Sequence, residues 1–251
     1  MSRKILVFTL FVSLLLTACT TTASLTKVPG ELTTLTVMTH DSFSVSQEVL
    51  SAFETSNNIK VNFVKGGDTG ATLNRLILES LSGRTPSADV FFGLDNTFLS
   101  RALEQDLLEP YNSPQLAKIP AEFKLDPENR ALPVDYGDVC INYDKAWFKQ
   151  HDLPIPTSLA ELTDPQYANL LVVENPATSS PGLAFMLTTI AEFGEDGWLD
   201  WWQAMKANKV LITSDWETAY YTNFSGSSGR GAQPMVVSYA SSPAAEFIYA
   251  E

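Results

Sequence analysis

Ile59-Lys60-Val61-Asn62-Phe63-Val64-Lys65-Gly66-Gly67-Asp68-Thr69-Gly70-Ala71-Thr72-Leu73, with the run on to Leu81, decides how this chain folds. Ile59, Val61 and Phe63 alternate with Lys60 and Asn62, which is the period of a strand. Leu73, Leu76, Ile77 and Leu81 follow at helical spacing. Between them Gly66, Gly67 and Gly70 permit left-handed backbone and a close approach to a ligand. The unpaired N–H groups of a helix start carry partial positive charge, so the turn suits a small polar or anionic group. Asp68 and Thr69 have two readings here: they line a pocket floor, or one of them caps the helix.

The alternation continues on both sides. Leu35–Thr39 reads as a short strand, and Val45, Val49, Leu50 and Phe53 give a helix face leading into Ile59. Ala88–Gly93 predicts a third strand, followed by a helix stripe at Phe98, Leu99, Ala102 and Leu103. Strand–helix repetition with short loops implies an α/β fold with mostly parallel sheets covered by helices. Ligands of such sheets gather beyond the carboxyl ends of the strands. Thr39-His40-Asp41-Ser42, the Asp68 turn and Leu94-Asp95-Asn96 converge there.

Pro110–Pro133 has five prolines and little apolar periodicity, an excursion over the surface. Val134–Asp138 then leads into the strand Val139–Tyr143, where the chain crosses into a second lobe. Leu170–Val173 predicts a strand, and Leu183, Met186, Leu187, Ile190 and Phe193 a helix face. Trp198, Trp201, Trp202 and Met205 recur at helical spacing as core packing. Met235–Tyr239 reads as a strand returning towards the first lobe.

Arg3 and Lys4 precede the apolar run Ile5–Leu16, too short to span a bilayer and suited to a signal peptide. Leu16-Thr17-Ala18-Cys19 resembles a bacterial lipobox, which makes Cys19 the lipidated first residue of the mature chain. Residues 1–18 are then the signal peptide and 19–34, rich in Thr and Ser, a flexible tether. The formal charge is −13, and removal of residues 1–18 takes away two basic residues, leaving −15. That balance opposes nucleic acid and anionic membrane surfaces as partners and accommodates a cationic ligand. Cys140, between Val139 and Ile141, is expected to be a small buried side chain.

Six phrases now stand in order: Thr39-His40-Asp41-Ser42-Phe43, Gly93-Leu94-Asp95-Asn96, Asp135-Tyr136-Gly137, Thr178-Ser179-Ser180-Pro181-Gly182-Leu183, Trp216-Glu217-Thr218-Ala219-Tyr220 and Ser238-Tyr239-Ala240-Ser241-Ser242-Pro243. From about Leu35 to its last residue the chain resembles the thiamine-binding proteins of bacterial ABC importers, with the iron(III)- and polyamine-binding proteins as the next relatives. The resemblance implies a two-lobed periplasmic-binding-protein fold of type II, its ligand cleft between the lobes. Lobe 1 is then 35–134, lobe 2 is 135–238, and 239–251 returns to lobe 1. It also implies extracytoplasmic binding of thiamine, thiamine monophosphate or thiamine diphosphate, delivery to permease subunits, a monomer, and no cofactor. By the same resemblance His40, Asp68, Thr69, Ser179, Trp216 and Tyr239 line the cleft, with Asp95 and Tyr136 as neighbours. The chemistry fits. Trp216 or Tyr239 offers a face to a flat or cationic ring, Asp68 or Asp95 a carboxylate, and Thr69, the Gly70 N–H and Ser179 hydrogen bonds to a hydroxyl or phosphate.

His40 stands where a tyrosine is usual in that family, and Ala245 where another is expected. His40 is either a cleft residue that charges near neutrality or a surface loop histidine. Related proteins continue past residue 251, so the end of the first lobe is expected to be missing here. Other classes fare worse. With only His40 and His151 as imidazoles, and Asp41-Ser42 too close to His40 for a triad, nothing marks a hydrolase. No local His/Cys/Asp/Glu cluster marks a metal site. Tyr220 and Tyr221, a tempting pair for iron(III), point about 100° apart on a helix. A polyamine binder, an iron(III) binder and a thiamine-sensing lipoprotein without transport remain alternatives.

Overall fold

The structure is a computed structural model that describes residues 32–249. The signal-peptide and Cys19 readings, and nearly all of the tether, lie outside the described residues.

The opening stretch folds as its periodicity predicts: strand β2 (Ile59–Lys65) leads through the glycine turn into helix α2 (Thr69–Leu81). β2 joins β1 (Thr33–Thr39) and β3 (Val90–Phe91) in a three-stranded sheet of order β2-β1-β3. β1 and β3 run parallel, with Val37 opposite Val90 and Met38 opposite Phe91. β3 has two residues, shorter than the Ala88–Gly93 expected, since Gly93 leaves the ladder at φ +106°. Helix α1 (Gln47–Asn57) starts on Ser46, whose Oγ accepts from Val49 N, and stops at left-handed Asn58. Glu54 then ties it to β2 by accepting from Val61 N and Lys60 Nζ. The predicted helix face forms but is left uncovered: Val49 and Phe53, with Val45 just before the helix, are exposed, and the helix buries no residue. Leu73, Phe98 and Ala102 form the buried centre here, where α2 meets helix α3 (Leu99–Glu104).

After two short 3₁₀ turns (Pro114–Lys118 and Ala121–Phe123) the chain enters a second sheet. It contains β4 (Val139–Tyr143), β5 (Leu171–Glu174), β6 (Leu211–Thr213) and β7 (Met235–Tyr239), in the order β4-β7-β5-β6. β7 pairs antiparallel with β4 and parallel with β5, and β5 pairs parallel with β6. Alternation sorts the faces. Leu171, Val173, Met235 and Val237 pack with Phe148, Phe185, Trp201 and Met205, while Val172 and Val236 pack with Ala219, Tyr220 and Phe224. Helix α4 (Lys145–Gln150) follows β4, and helix α6 (Ser242–Tyr249) follows β7.

Trp201 and Met205 are buried as the tryptophan-rich spacing predicts. They lie on helix α5 (Ser180–Ala207), which breaks at Gly194 (φ 70°, ψ 175°). The helix's first half is rotated from the expected face: Phe185 and Thr189 are buried, and Leu187 is exposed. Cys140 also departs from expectation. It is exposed, because on the sheet's edge strand β4 it points away from the side that Val139 and Ile141 share.

Candidate functional site

The glycine turn is built by packing that excludes side chains. Gly66 N–H donates to Thr39 O (2.9 Å), and a Cβ on Gly66 would lie 2.5 Å from Thr72 Oγ1. Gly67 sits at φ +91°, and its N–H donates to Asp41 Oδ1 (3.0 Å). Thr69 is buried, its hydroxyl donating to Gly93 O at 2.7 Å, which locks the turn against the end of β3.

Asp68 precedes the first residue of α2, yet its carboxylate makes no capping bond. It reaches the segment after β6 instead, where Oδ2 accepts from Trp216 N at 2.9 Å. The N–H groups of Gly70 and Ala71 are likewise taken up by Thr178 O, at 2.9 and 3.2 Å. The helix start expected to face a ligand is therefore docked on the Thr178 carbonyl, and the Gly70 N–H has a protein partner. Leu183 of α5 packs against the Leu73–Phe98 cluster at the same junction. The two sheets' structures thus meet through a turn, a helix start and one carboxylate.

Trp216 is stacked on buried Tyr220, with ring centroids 4.9 Å apart and planes 16° apart, and its Nε1–H donates to Ser238 Oγ at 2.8 Å. Tyr220 lies in a π-helical turn (Thr218–Asn223), a wide-pitch element that often marks functional sites. The turn leaves Tyr220 buried and Tyr221 exposed, with their rings at 86°, so the pair offers no joint iron(III) clamp. Asp95 accepts from the Thr97 hydroxyl and Phe98 N.

His40 packs its ring edge on Gly93, and its Nδ1 is 2.9 Å from Ser42 Oγ. Burial lowers its proton affinity, against a pull upward from Asp135 and Asp41. Ser179 is fully buried, and its hydroxyl lies beside the Asp68 carboxyl, whose proton affinity it lowers. Burial is the larger influence on Asp68 and raises it. Tyr239 is raised above the ordinary phenol range by burial and then by Asp95, Asp68, Glu174 and Asp135.

The structure therefore brings Asp68, Thr69, Gly70, Ser179 and Trp216 together, with Tyr239 and Asp95 in the same acidic field. It leaves Tyr136 out of this group: that ring is 79% exposed and stacked on Phe123. Ala245 is exposed on α6. Two members escaped the sequence reading, Glu174 at the end of β5 and Asp215 beside Trp216. The usable signal for Glu174 was a carboxyl closing an apolar strand just before a helix. An acidic, aromatic-lined junction between two α/β sheets is equipped to hold a small cation.

The class of protein is a two-lobed solute-binding protein. The sequence profile of the bacterial extracellular solute-binding proteins matches residues 85–246, and the chain belongs to that family. It is 34% identical to a thiamine-binding periplasmic protein of Brucella suis over 84% of this chain and 60% of that protein. To one of Salmonella typhimurium it is 33% identical over 85% of this chain and 62% of that protein. A solved periplasmic thiamin binding protein superposes with TM-score 0.69 and 29% identity, covering 89% of this chain and 67% of that one. The fold is that of type II periplasmic binding proteins. An Actinobacillus pleuropneumoniae binding protein with bound fructose-6-phosphate shares it at TM-score 0.73 and 22% identity. The chain spans about 60% of the length of the curated relatives it matches.

Proposed function

We propose that this chain binds thiamine, thiamine monophosphate or thiamine diphosphate outside the cytoplasm and delivers it to the permease of an ABC importer. In this reading it is a monomer, tethered to the membrane by a lipid on Cys19, and it catalyses no reaction. His40, Asp68, Thr69, Gly70, Asp95, Tyr136, Ser179, Trp216 and Tyr239 are the proposed ligand residues, with Gly70 and Tyr136 needing rearrangement before they can touch a ligand. The observation that carries the reading is the junction itself. Asp68 of the first lobe meets Trp216 of the second at a stacked indole, ringed by carboxyls. Thiamine has a fixed positive charge on one flat ring and a second flat ring, so carboxylates and an indole face suit it. The thiamine-binding names of the relatives support the same ligand.

Calorimetry of the chain from Cys19 onward against thiamine, its two phosphate esters, spermidine and iron(III) tests this. Heat with a thiamine form, and quenching of tryptophan fluorescence, is expected. Heat with spermidine or iron(III) alone would replace thiamine with one of those cations.

A further inference from the structure

All four residues of β5 are buried, and Glu174, the last of them, has its carboxyl sealed in. The residue is 1% exposed, and neither carboxyl oxygen has a hydrogen-bond partner. Gly182, in the first turn of α5, packs so closely on Glu174 that a Cβ there would lie 2.4 Å from its carbonyl oxygen. Ionised, such a group would be an uncompensated buried charge.

The groups facing it offer no compensation. Asp68, from the turn before α2, and Asp215, after β6, both act on Glu174 as like charges. Tyr239 at the end of β7 is a neutral phenol that feels Glu174 together with Asp68, Asp95 and Asp135. Burial above all, with Asp68 and Asp215 adding to it, holds the Glu174 carboxyl well above the usual carboxylate range against a downward pull from the residue's own backbone N–H. Two further buried hydroxyls, those of Thr39 and Ser180, also lack partners. The Trp216 N–H to Asp68 and Gly70 N–H to Thr178 hydrogen bonds join the two sheets' loops here. Unpartnered buried hydroxyls and an unpaired buried acid at one junction make a site suited to a positive group.

We propose that Glu174 is a proton-exchanging subsite of the cleft: sealed as it is here it is a neutral acid, and an entering organic cation displaces its proton to solvent. The carboxylate left behind is the buried counter-charge of the ligand. That the cation is thiamine rests on the function proposed above; that Glu174 holds a proton does not. Among the described residues no three His, Cys, Asp or Glu side chains are grouped to hold a metal ion, which favours an organic cation.

Infrared spectroscopy of the unliganded protein at pH 7 should show a carboxylic-acid carbonyl band that is missing from Glu174→Gln. Its absence from the wild type overturns the proposal whether or not thiamine binds. Calorimetry with thiamine in buffers of different ionisation enthalpy should then count about one more proton released by wild type than by Glu174→Gln. Wild-type affinity should tighten by up to tenfold per pH unit while Glu174 is protonated, a slope the variant loses. Equal proton counts in the two proteins overturn the proposal. If thiamine gives no heat with wild type, the thiamine reading falls and the infrared band alone decides on Glu174. Should the variant fail to fold, the wild-type band and proton count carry the test.

Discussion

Gly70→Ala is the sharpest probe of the junction. An added Cβ would lie 2.6 Å from Phe98 Cζ, 2.8 Å from Ala177 O and 2.9 Å from Thr178 C. Two of these atoms are backbone of the segment between β5 and α5, and Phe98 is only 3% exposed, so none of the three can swing aside cheaply. Overpacking of this kind costs about 1–3 kcal/mol. Alanine's helix propensity returns at most about 1 kcal/mol. If relief comes by spreading the lobes, the Gly70 and Ala71 bonds to Thr178 O are lost as well, at about 0.5–1.5 kcal/mol each. The net expectation is about 1–3 kcal/mol, read either as lowered stability in a urea melt or as roughly tenfold to hundredfold weaker ligand binding by calorimetry. Gly137→Ala is the control, because its Cβ would meet only Tyr239 Cδ1 at an ordinary 3.8 Å. A Gly70→Ala protein that melts and binds like wild type would refute the docking of α2 on Thr178.

Asp68→Asn keeps an acceptor for Trp216 N–H and removes the charge, so it should weaken a cationic ligand while leaving the melt nearly unchanged. Asp68→Ala should lower stability as well, by about 1–3 kcal/mol for the orphaned donor, and equal melts for the two variants would contradict this. Trp216→Ala should cost on the order of 1–3 kcal/mol of binding, by analogy with base–aromatic stacking, and abolish most ligand-induced fluorescence quenching. The Arg130 hydrogen bonds hold the Asp126 carboxyl down at about 2. A depressed acid stabilises the fold above its ordinary range near 3.8 and loses that contribution as pH falls towards 2. Arg130→Met should therefore flatten the acid limb of stability between pH 4 and 2, as followed by circular dichroism. Exposed Cys140, whose thiol burial holds above its usual range, should react with a thiol reagent slowly but without denaturant, and labelling only after unfolding would show that strand misplaced.

How much of this was legible differs from element to element. The β2–turn–α2 unit could be read because period 2, three glycines and period 3.6 follow one another within 23 residues, all of it local. Asp68 could be singled out but not explained, since its partner is 148 residues away in the chain. Cap and cleft residue are chemically identical in sequence, and only tertiary packing separates them. Cys140 was misjudged on its apolar neighbours, although strand alternation already put it opposite Val139 and Ile141. The α1 stripe is periodic yet exposed, because amphipathic spacing says which face is apolar and not whether anything covers it. Glu174 was passed over because a carboxyl at a strand end is ordinarily solvated.

The order β4-β7-β5-β6 has a consequence for how the chain acquires its shape. Among the described strands β7 comes last in the chain, yet it lies between β4 and β5 and pairs with both. Val139 pairs with Tyr239, and Tyr143 with Met235, so roughly 90–100 residues must be closed into a loop before the first rung forms. Until then β4 has no neighbour, and β5 with β6 is a bare two-stranded ribbon, marginal by itself. A chain emerging from the ribosome amino end first can shape its first sheet early and must leave the second open until about residue 239 has been made. Such non-local pairing folds slowly and keeps strand edges unpaired for longer. A kinetic experiment on nested carboxyl-terminal deletions should find the second sheet's protection from hydrogen exchange absent in chains ending before Met235 and present in those that include Tyr239.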